Sequence, residues 1–434
     1  MTHDRSADTR FAVFDWDLEL PAQRIEDFNV VGPGVGAFVL LRLAGRPAGR
    51  LLVLPEDAPA QLDAFHHLAL AAIGDDLDDL LEASSLTRAQ LFDVAHGPES
   101  PTVTARRGRP VVSEPPVTVV VCTRDRPDGL RASLTSLLAQ DHGDFEILVV
   151  DNAPATPATH DVVVEFGDPR LRYVREDTPG LSAARNRALR ELDRPVVAWL
   201  DDDETADPEW LSEIAAAFAA RPDVAAVSGY VFPASLDTTA QIYYESYGGH
   251  SKGRRMLPTV IDPADRATAD PLFPVPPFGV GANMAFRAQV LRDLGGFDEA
   301  LGAGTPTQGG EDTLVFSQLL VAGHRCLYLP SAVTRHVHRR DLAAFQKQMY
   351  GYGAGLSAFY VALLLSQRRL VLRLPRLFLR GVAALRGSGE ADSAVLGEIP
   401  RDALRRKWRG FLAGPLLYAR ARRVVRSRDQ GRGF

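Results

Sequence analysis

Cysteine is nearly missing from this chain: Cys122 and Cys326 are the only two in 434 residues, and each lies inside an apolar run. That excludes a disulfide scaffold and a thiolate zinc cluster, and it fits buried free thiols in a reducing compartment. The first residues, Met1-Thr2-His3-Asp4-Arg5, lead into no apolar stretch, so no secretory signal is expected. Aromatic side chains are not interleaved with the basic ones at stacking spacing, which argues against nucleic acid as a partner. What remains is ordinary for a folded protein, 46% hydrophobic and 24% charged, and the length calls for two or three domains.

Charge is distributed unevenly. The net value is −6, yet residues 339–434 hold 20 Lys and Arg against 6 Asp and Glu. A basic, arginine-rich tail on an acidic body points to an anionic surface, either lipid headgroups or a phosphorylated substrate. Between Gln348 and Gln367 no charge occurs, but Gly351, Gly353 and Gly355 weaken that stretch as a membrane span. A basic apolar helix lying on a membrane competes here with a helix packed on the body with solvated arginines.

Four regions are expected. Residues 1–95 read as a small β-rich accessory module, with short apolar runs separated by Gly and Pro and then a helical stretch. No chemistry attaches to it. Residues 96–116 read as a linker without periodicity. Residues 117–340 alternate apolar strands with amphipathic helices, the pattern of a sheet covered on both faces. Residues 341–434 form the basic helical region.

Within the third region, Val196-Val197-Ala198-Trp199-Leu200 reads as a buried strand, and Asp201-Asp202-Asp203-Glu204 follows it directly. Carboxylates packed this tightly raise one another's pKa unless a cation sits among them. Oxygen ligands at a strand end suit a hard divalent ion, Mg2+ or Mn2+, which readily bridges phosphates. The alternative is a solvated acidic turn before a helix.

Right-handed crossovers place the loops after these strands along one rim. There stand Thr123-Arg124-Asp125-Arg126-Pro127, then Asp151-Asn152, then Pro179-Gly180-Leu181-Ser182 leading to Arg185, then the acidic run. Asp151 can accept hydrogen bonds from a base or a ribose. Arg124 and Arg185 can offset phosphate charge. Gly180 before a helix permits close backbone approach at an anion-favouring terminus. Together they describe a pocket for a nucleoside diphosphate. The 243–277 stretch, with Tyr247-Gly248-Gly249-His250, lacks periodicity and reads as a mobile functional loop. His336 and His338 alternate on an expected strand and so would face opposite sides.

The segments VTVVVCTRDRP, FEILVVDNA, GLSAARNRAL, VVAWLDDDE, FGVGANMAFR, LGGFDEALG, GGEDTLVFSQLL and HVHR resemble the family-2 glycosyltransferases. The resemblance spans 117–338, about half of the chain. It implies the GT-A fold, a Rossmann-type mixed sheet, binding a UDP-, dTDP- or GDP-sugar through a divalent metal. By that pattern Thr123, Arg124 and Asp151 hold the nucleoside, with Arg185 beside it. Asp201, Asp202 and Asp203 match the D-x-D motif, with Asp203 as metal ligand and Asp202 on the ribose or sugar. Either His336 or His338 would join the metal, with His336 preferred.

Glu311-Asp312 occupies the position where similar enzymes hold the catalytic base, with Asp312 as base and Glu311 in support; a helix cap is the bland alternative. The Gln-x-x-Arg-Trp element of processive synthases is absent, so single-sugar transfer to a glycan, glycolipid or small-molecule acceptor is expected. The resulting picture is a cytoplasmic enzyme, peripheral on the membrane. Two rival readings exist. A phosphohydrolase of the haloacid-dehalogenase type would use Asp201 as nucleophile with Asp203 and Thr205. A catalytically silent protein would bind sugar nucleotides without turning them over.

Overall fold

The computed structural model describes residues 10–18, 35–57, 62–84, 113–251, 255–265, 269–272, 280–373 and 399–431. The expected linker before residue 113, residues 273–279 and residues 374–398 of the basic region lie outside the described residues.

Apolar runs punctuated by glycine give the first region a three-stranded sheet, β1 (Arg10–Asp17), β2 (Val35–Leu43) and β3 (Arg46–Val53). The β2–β3 hairpin turns on Ala44 and Gly45, both at positive φ (52° and 72°), as a two-residue primed turn requires. Helices α1 (Leu62–Ile73) and α2 (Asp76–Ser84) close a small core around Trp16 and Phe65. This module leans on the body: Phe38 stacks on Phe232 at 5.2 Å, and Asp15 accepts from Arg335 at 2.6 Å. Arg335 immediately precedes His336, so the module braces the strand that carries that histidine.

The body follows in order as β4 (Val117–Thr123), α3 (Pro127–Leu138), β5 (Phe145–Asn152), α4 (Ala158–Phe166), β6 (Leu171–Glu176), α5 (Leu181–Glu191) and β7 (Val196–Asp201). Next come β8 (Glu204–Ala206), α6 (Trp210–Ala220), β9 (Val224–Pro233), α7 (Thr239–Ser246), β10 (Thr259–Ile261), β11 (Asn283–Arg287), α8 (Ala288–Asp293), α9 (Glu311–Val321) and β12 (Arg325–His336). The sheet order is β10-β12-β9-β11-β7-β4-β5-β6, with β8 paired to β12. Strands β7, β4, β5 and β6 are mutually parallel, whereas β11 runs antiparallel to both β7 and β9.

The sheet is therefore mixed and covered on both faces, as expected. One apolar layer gathers Leu130, Leu134 and Trp210, and the opposite one Ala184, Leu291 and Phe316. Two sequence readings need correction. Residues 243–246 close a helix, α7, whose start is fixed by a capping box between Thr238 and Gln241, so the expected mobile loop begins later. Residues 325–336 form one long strand with a bulge, and it stops at His336 rather than running on to His338.

The tail contributes α10 (Leu342–Ser366) and α11 (Arg401–Gly431). Helix α10 is long and apolar enough to cross a membrane, yet much of it is buried against protein. Its glycines admit a close helix neighbour: a Cβ on Gly353 would collide with the Lys407 carbonyl, and one on Gly410 with the Tyr350 carbonyl. Gly355 in turn faces Gly309, where a Cβ would lie 2.8 Å from the carbonyl carbon. The α10–α11 pair thus abuts the loop that opens α9.

Candidate active site

Parallel register brings the strand ends level. Thr123 is paired with Asp151 on β5, and Cys122 with Asp201 on β7. Because β4, β5 and β7 are largely buried apolar ladders, Thr123, Asp151 and Asp201 emerge together at their carboxyl ends.

The acidic run folds over this edge. Asp202 is buried and accepts from Thr123 Oγ1 at 2.8 Å and Arg126 Nη1 at 2.5 Å. The same nitrogen of Arg126 reaches Asp203 Oδ2 at 2.9 Å. Helix α3 approaches closely here because residue 129 is glycine; a Cβ would strike the Asp202 carbonyl. Asp203 Oδ1 lies 3.5 Å from His336 Nε2. Asp201, a third exposed, stands 3.7 Å from Arg185 Nη2.

Electrostatics reveal a shortage of positive charge. Burial first, then Asp203 and Asp202, push the Asp201 carboxyl up to about 7 despite Arg185. Glu204, buried beside Asp201 and Asp203, is raised well above its ordinary value by burial. Burial also raises Asp202, whereas at Asp203 it is outweighed first by His336 and then by Arg126, and the group is held below its ordinary value. His336 is pushed down to about 3 by burial, so at neutral pH it offers a lone pair rather than a charge. Ionisable carboxylates beside a neutral imidazole form a donor set that fits Mn2+ or Mg2+.

The Glu311–Asp312 pair is joined to the acidic run through Arg185. Arg185, only 1% exposed, donates from Nη1 to Glu311 Oε1 at 2.9 Å and from Nη2 to the Gly281 carbonyl at 3.1 Å. Its guanidinium also lies over the Phe297 ring at 5.2 Å. Glu311 Oε2 is buried without a partner, and burial, then Asp312, raise its pKa. Asp312 is half-buried; Oδ2 accepts from the Gly281 N–H at 2.7 Å and Oδ1 from the Thr313 N–H at 2.6 Å. Gly310, which caps α9, sits at φ 92°, a conformation that favours glycine. Neither carboxylate is the cap residue.

The remaining expected residues fall differently. Asp151 is fully buried; Oδ2 accepts from Tyr173 OH at 2.9 Å, Oδ1 has no partner, and burial raises its pKa. Gly180 donates its N–H to Asn152 Oδ1 at 2.8 Å and packs on Gly304, so that amide is already engaged. Arg124 does not reach the triplet. It is half-exposed beside Asp125 at 3.8 Å, and it is Arg126 that contacts the acidic run. The reason is local: Asp125 adopts φ 53°, which turns the chain between the two arginines and cancels strand alternation.

The histidines also depart from expectation. Strand β12 ends at His336, Val337 N–H donates to the Asp203 carbonyl at 2.9 Å, and the backbone turns. His336 and His338 consequently face each other, Nδ1 to Nδ1 at 2.8 Å, with His250 against them. Sequence reasoning missed Arg126 and Glu245, which meets His338 Nε2 at 2.7 Å. For Arg126, the proline that starts α3 was the available signal: the residue before it caps the helix and points back at the rim.

Comparison with known proteins follows the same segment. Residues 118–295 match the model described as Glycosyl transferase family 2. The chain is 32% identical over 254 residues to the O-antigen biosynthesis protein RfbC of Myxococcus xanthus, covering 53% of this chain and 19% of that one. It is 30% identical over 242 residues to the pre-mycofactocin glycosyltransferase of Mycobacterium tuberculosis, covering 55% and 46%. These matches span less than half of either relative's length. A solved mannosyltransferase from Pyrobaculum calidifontis, in complex with GDP-Man and Mn2+, aligns with TM-score 0.42 and 22% identity over 74% of this chain and 91% of that one.

Proposed function

Given that this chain belongs to glycosyl transferase family 2, we propose that it moves one sugar from a nucleoside-diphosphate sugar to an acceptor hydroxyl, with inversion and with a divalent metal. The observation that carries this reading is Arg185, which contacts Asp201 of the acidic run and Glu311 of the opposite pair. One buried side chain thus touches both acidic groups, which supports a shared site for donor and acceptor.

Asp203 and His336 Nε2 would hold the metal, with Asp201 beside them. When bound, it neutralises charge on the departing diphosphate. Asp151, with its unpartnered Oδ1, is the acceptor for a base N–H or ribose hydroxyl. Thr123 and Arg126 orient Asp202, leaving it to meet the ribose or sugar. Thr123 thus acts through Asp202, and Arg124 at the rim is left to meet donor phosphate.

Asp312 is the general base. Its carboxylate is half-buried and aimed by the Gly281 amide, whereas Glu311 is committed to Arg185. It takes the acceptor hydroxyl proton as that oxygen bonds to the anomeric carbon. The bond from that carbon to the diphosphate oxygen breaks, and the nucleoside diphosphate leaves on the opposite face. Glu311 and Arg185 hold the acceptor side of the wall. A phosphohydrolase using Asp201 would leave the Glu311–Asp312 pair without a role.

The relatives' names describe O-antigen and mycofactocin products, which supports a glycan or small-molecule acceptor. A lipid-linked acceptor is favoured by α11, where Leu404, Trp408, Leu412 and Leu416 are exposed at four-residue spacing among arginines. Such a face suits an anionic membrane surface, which supports a peripheral position on a cytoplasmic leaflet.

The test is the anomeric configuration of the product, read by proton NMR with a panel of UDP-, dTDP- and GDP-sugars and Mn2+. Inversion is expected, with diphosphate release dependent on acceptor. Retention would sink the mechanism, and sugar-phosphate hydrolysis without acceptor would favour the phosphohydrolase.

A further inference from the structure

Resting on the metal-dependent reading above, we propose that Glu245 and His338 are positioning residues that fix the ring tautomer of His336, so that its Nε2 lone pair faces the ion held by Asp203. The case is a count of protons along three side chains. Glu245 Oε1 lies 2.7 Å from His338 Nε2, and an ionised carboxylate can only accept, so that nitrogen carries the hydrogen. A neutral His338 then has a bare Nδ1. This atom is 2.8 Å from His336 Nδ1, and one of the two must donate. His336 Nδ1 therefore carries its hydrogen, and its Nε2 is bare. That is the nitrogen 3.5 Å from Asp203 Oδ1. With neutral rings and an ionised Glu245, no other assignment satisfies both contacts.

The surroundings hold the relay in place. His338 and Glu245 are buried, 2% and 4% exposed. Gly249 sits at φ 51° and any Cβ there would collide with the Glu245 carboxylate, so the backbone is pressed against it. His250 packs edge-on against His336 with centroids 4.5 Å apart, and its Nε2 meets Tyr244 OH at 3.0 Å.

The same spacing decides against the obvious alternative, one ion bound by His250, His336 and His338, whose ligand atoms lie within 4.8 Å of one another. Two imidazole nitrogens on one tetrahedral zinc ion stand roughly 3.4 Å apart. The 2.8 Å contact is a hydrogen bond length. His338 thus stands behind the ligand rather than on the metal, and it resolves which of the two histidines faces Asp203. Groups that orient a ligating histidine in this way typically change metal affinity about 10–100-fold.

Two measurements on the full chain test this. The first is Mn2+ affinity, followed by the EPR signal of the free ion, for the wild type and for Glu245→Gln, His338→Phe, His336→Ala and Asp203→Asn. The expected result is Kd raised about tenfold or more in the first two variants and binding lost in the last two. Wild-type affinity in folded Glu245→Gln and His338→Phe, with loss in the other pair, would overturn the relay alone. Wild-type affinity in all four would overturn the metal reading and the relay with it. The second measurement needs no variant: nitrogen-15 NMR of labelled histidine in the metal-free protein. It should show His336 protonated at Nδ1 and bare at Nε2. A proton on Nε2 would refute the proposal whatever the variants do.

Discussion

Arg185 donates to Glu311 at 2.9 Å across 126 residues of sequence, and both side chains are buried. This ion pair ties α5 to the start of α9. Breaking one partner of a buried pair leaves an uncompensated charge. Arg185→Met is expected to lower stability by about 3–5 kcal/mol, measured by urea denaturation. A loss under about 1 kcal/mol, the range of exposed pairs, would mean the pair is solvated rather than structural.

Glu311 gives a pH signature. Burial and Asp312 raise its folded pKa above the ordinary 4.5. The folded state then keeps a proton that the unfolded chain has released, so stability falls as pH rises from about 4.5 through the folded value. Glu311→Gln retains an acceptor for Arg185 but has no proton to lose. The stability difference, wild type minus variant, should be most favourable to wild type near pH 4.5 and decline above it. A difference that grows with pH would reverse the assigned shift.

The tail pair has its own test. A Cβ on Gly410 would collide with the Tyr350 carbonyl, and α10 passes the contact on to Gly309 through Gly355. Gly410→Ala should cost about 1–3 kcal/mol as an overpacked contact, and it should lower kcat by disturbing the loop before Glu311. Thermal unfolding with parallel kinetics reads both. An unchanged melting temperature would show that α11 does not brace the catalytic body.

The exposed stripe on α11 predicts membrane contact. Trp408 and Leu412 are 54% and 78% exposed, so the double change to serine should leave the fold intact. Sedimentation with vesicles containing phosphatidylglycerol should show several-fold weaker binding, and wild-type binding should fall with salt. Equal binding by both proteins would leave the arginines, or no surface at all, as the explanation.

Much of the site could be read in the residues themselves. The parallel strands were visible because continuous apolar runs such as 117–122 end abruptly in polar residues, and an α/β sheet exposes those ends on one rim. Asp201–Asp203 stood out for the same reason, whereas Glu311–Asp312, which follows two glycines rather than an apolar strand, was found through the family resemblance. Arg126 was legible only in part: Pro127 marks it as the residue before a helix, but the turn at Asp125 that aims it depends on a backbone conformation that composition does not encode. The histidine relay was equally hidden: strand alternation separates residues 336 and 338 until the strand stops between them. The antiparallel β11 is another such case, since its short apolar core, Met284-Ala285-Phe286, reads alike in either direction. In the tail, Gly351, Gly353 and Gly355 marked a weak membrane helix by composition; only a packed partner explains them as contact points.

The central claim is that the aspartate run holds a metal-bound nucleotide opposite a separate base. Calorimetric titration with UDP and GDP, with and without Mn2+, tests it in three proteins. Nucleotide should bind to the wild type only with Mn2+, bind equally to Asp312→Asn although that variant loses about 10²–10⁴ in turnover, and fail to bind to Asp203→Ala. Metal-independent binding that survives Asp203→Ala, or full turnover by Asp312→Asn, would contradict the account.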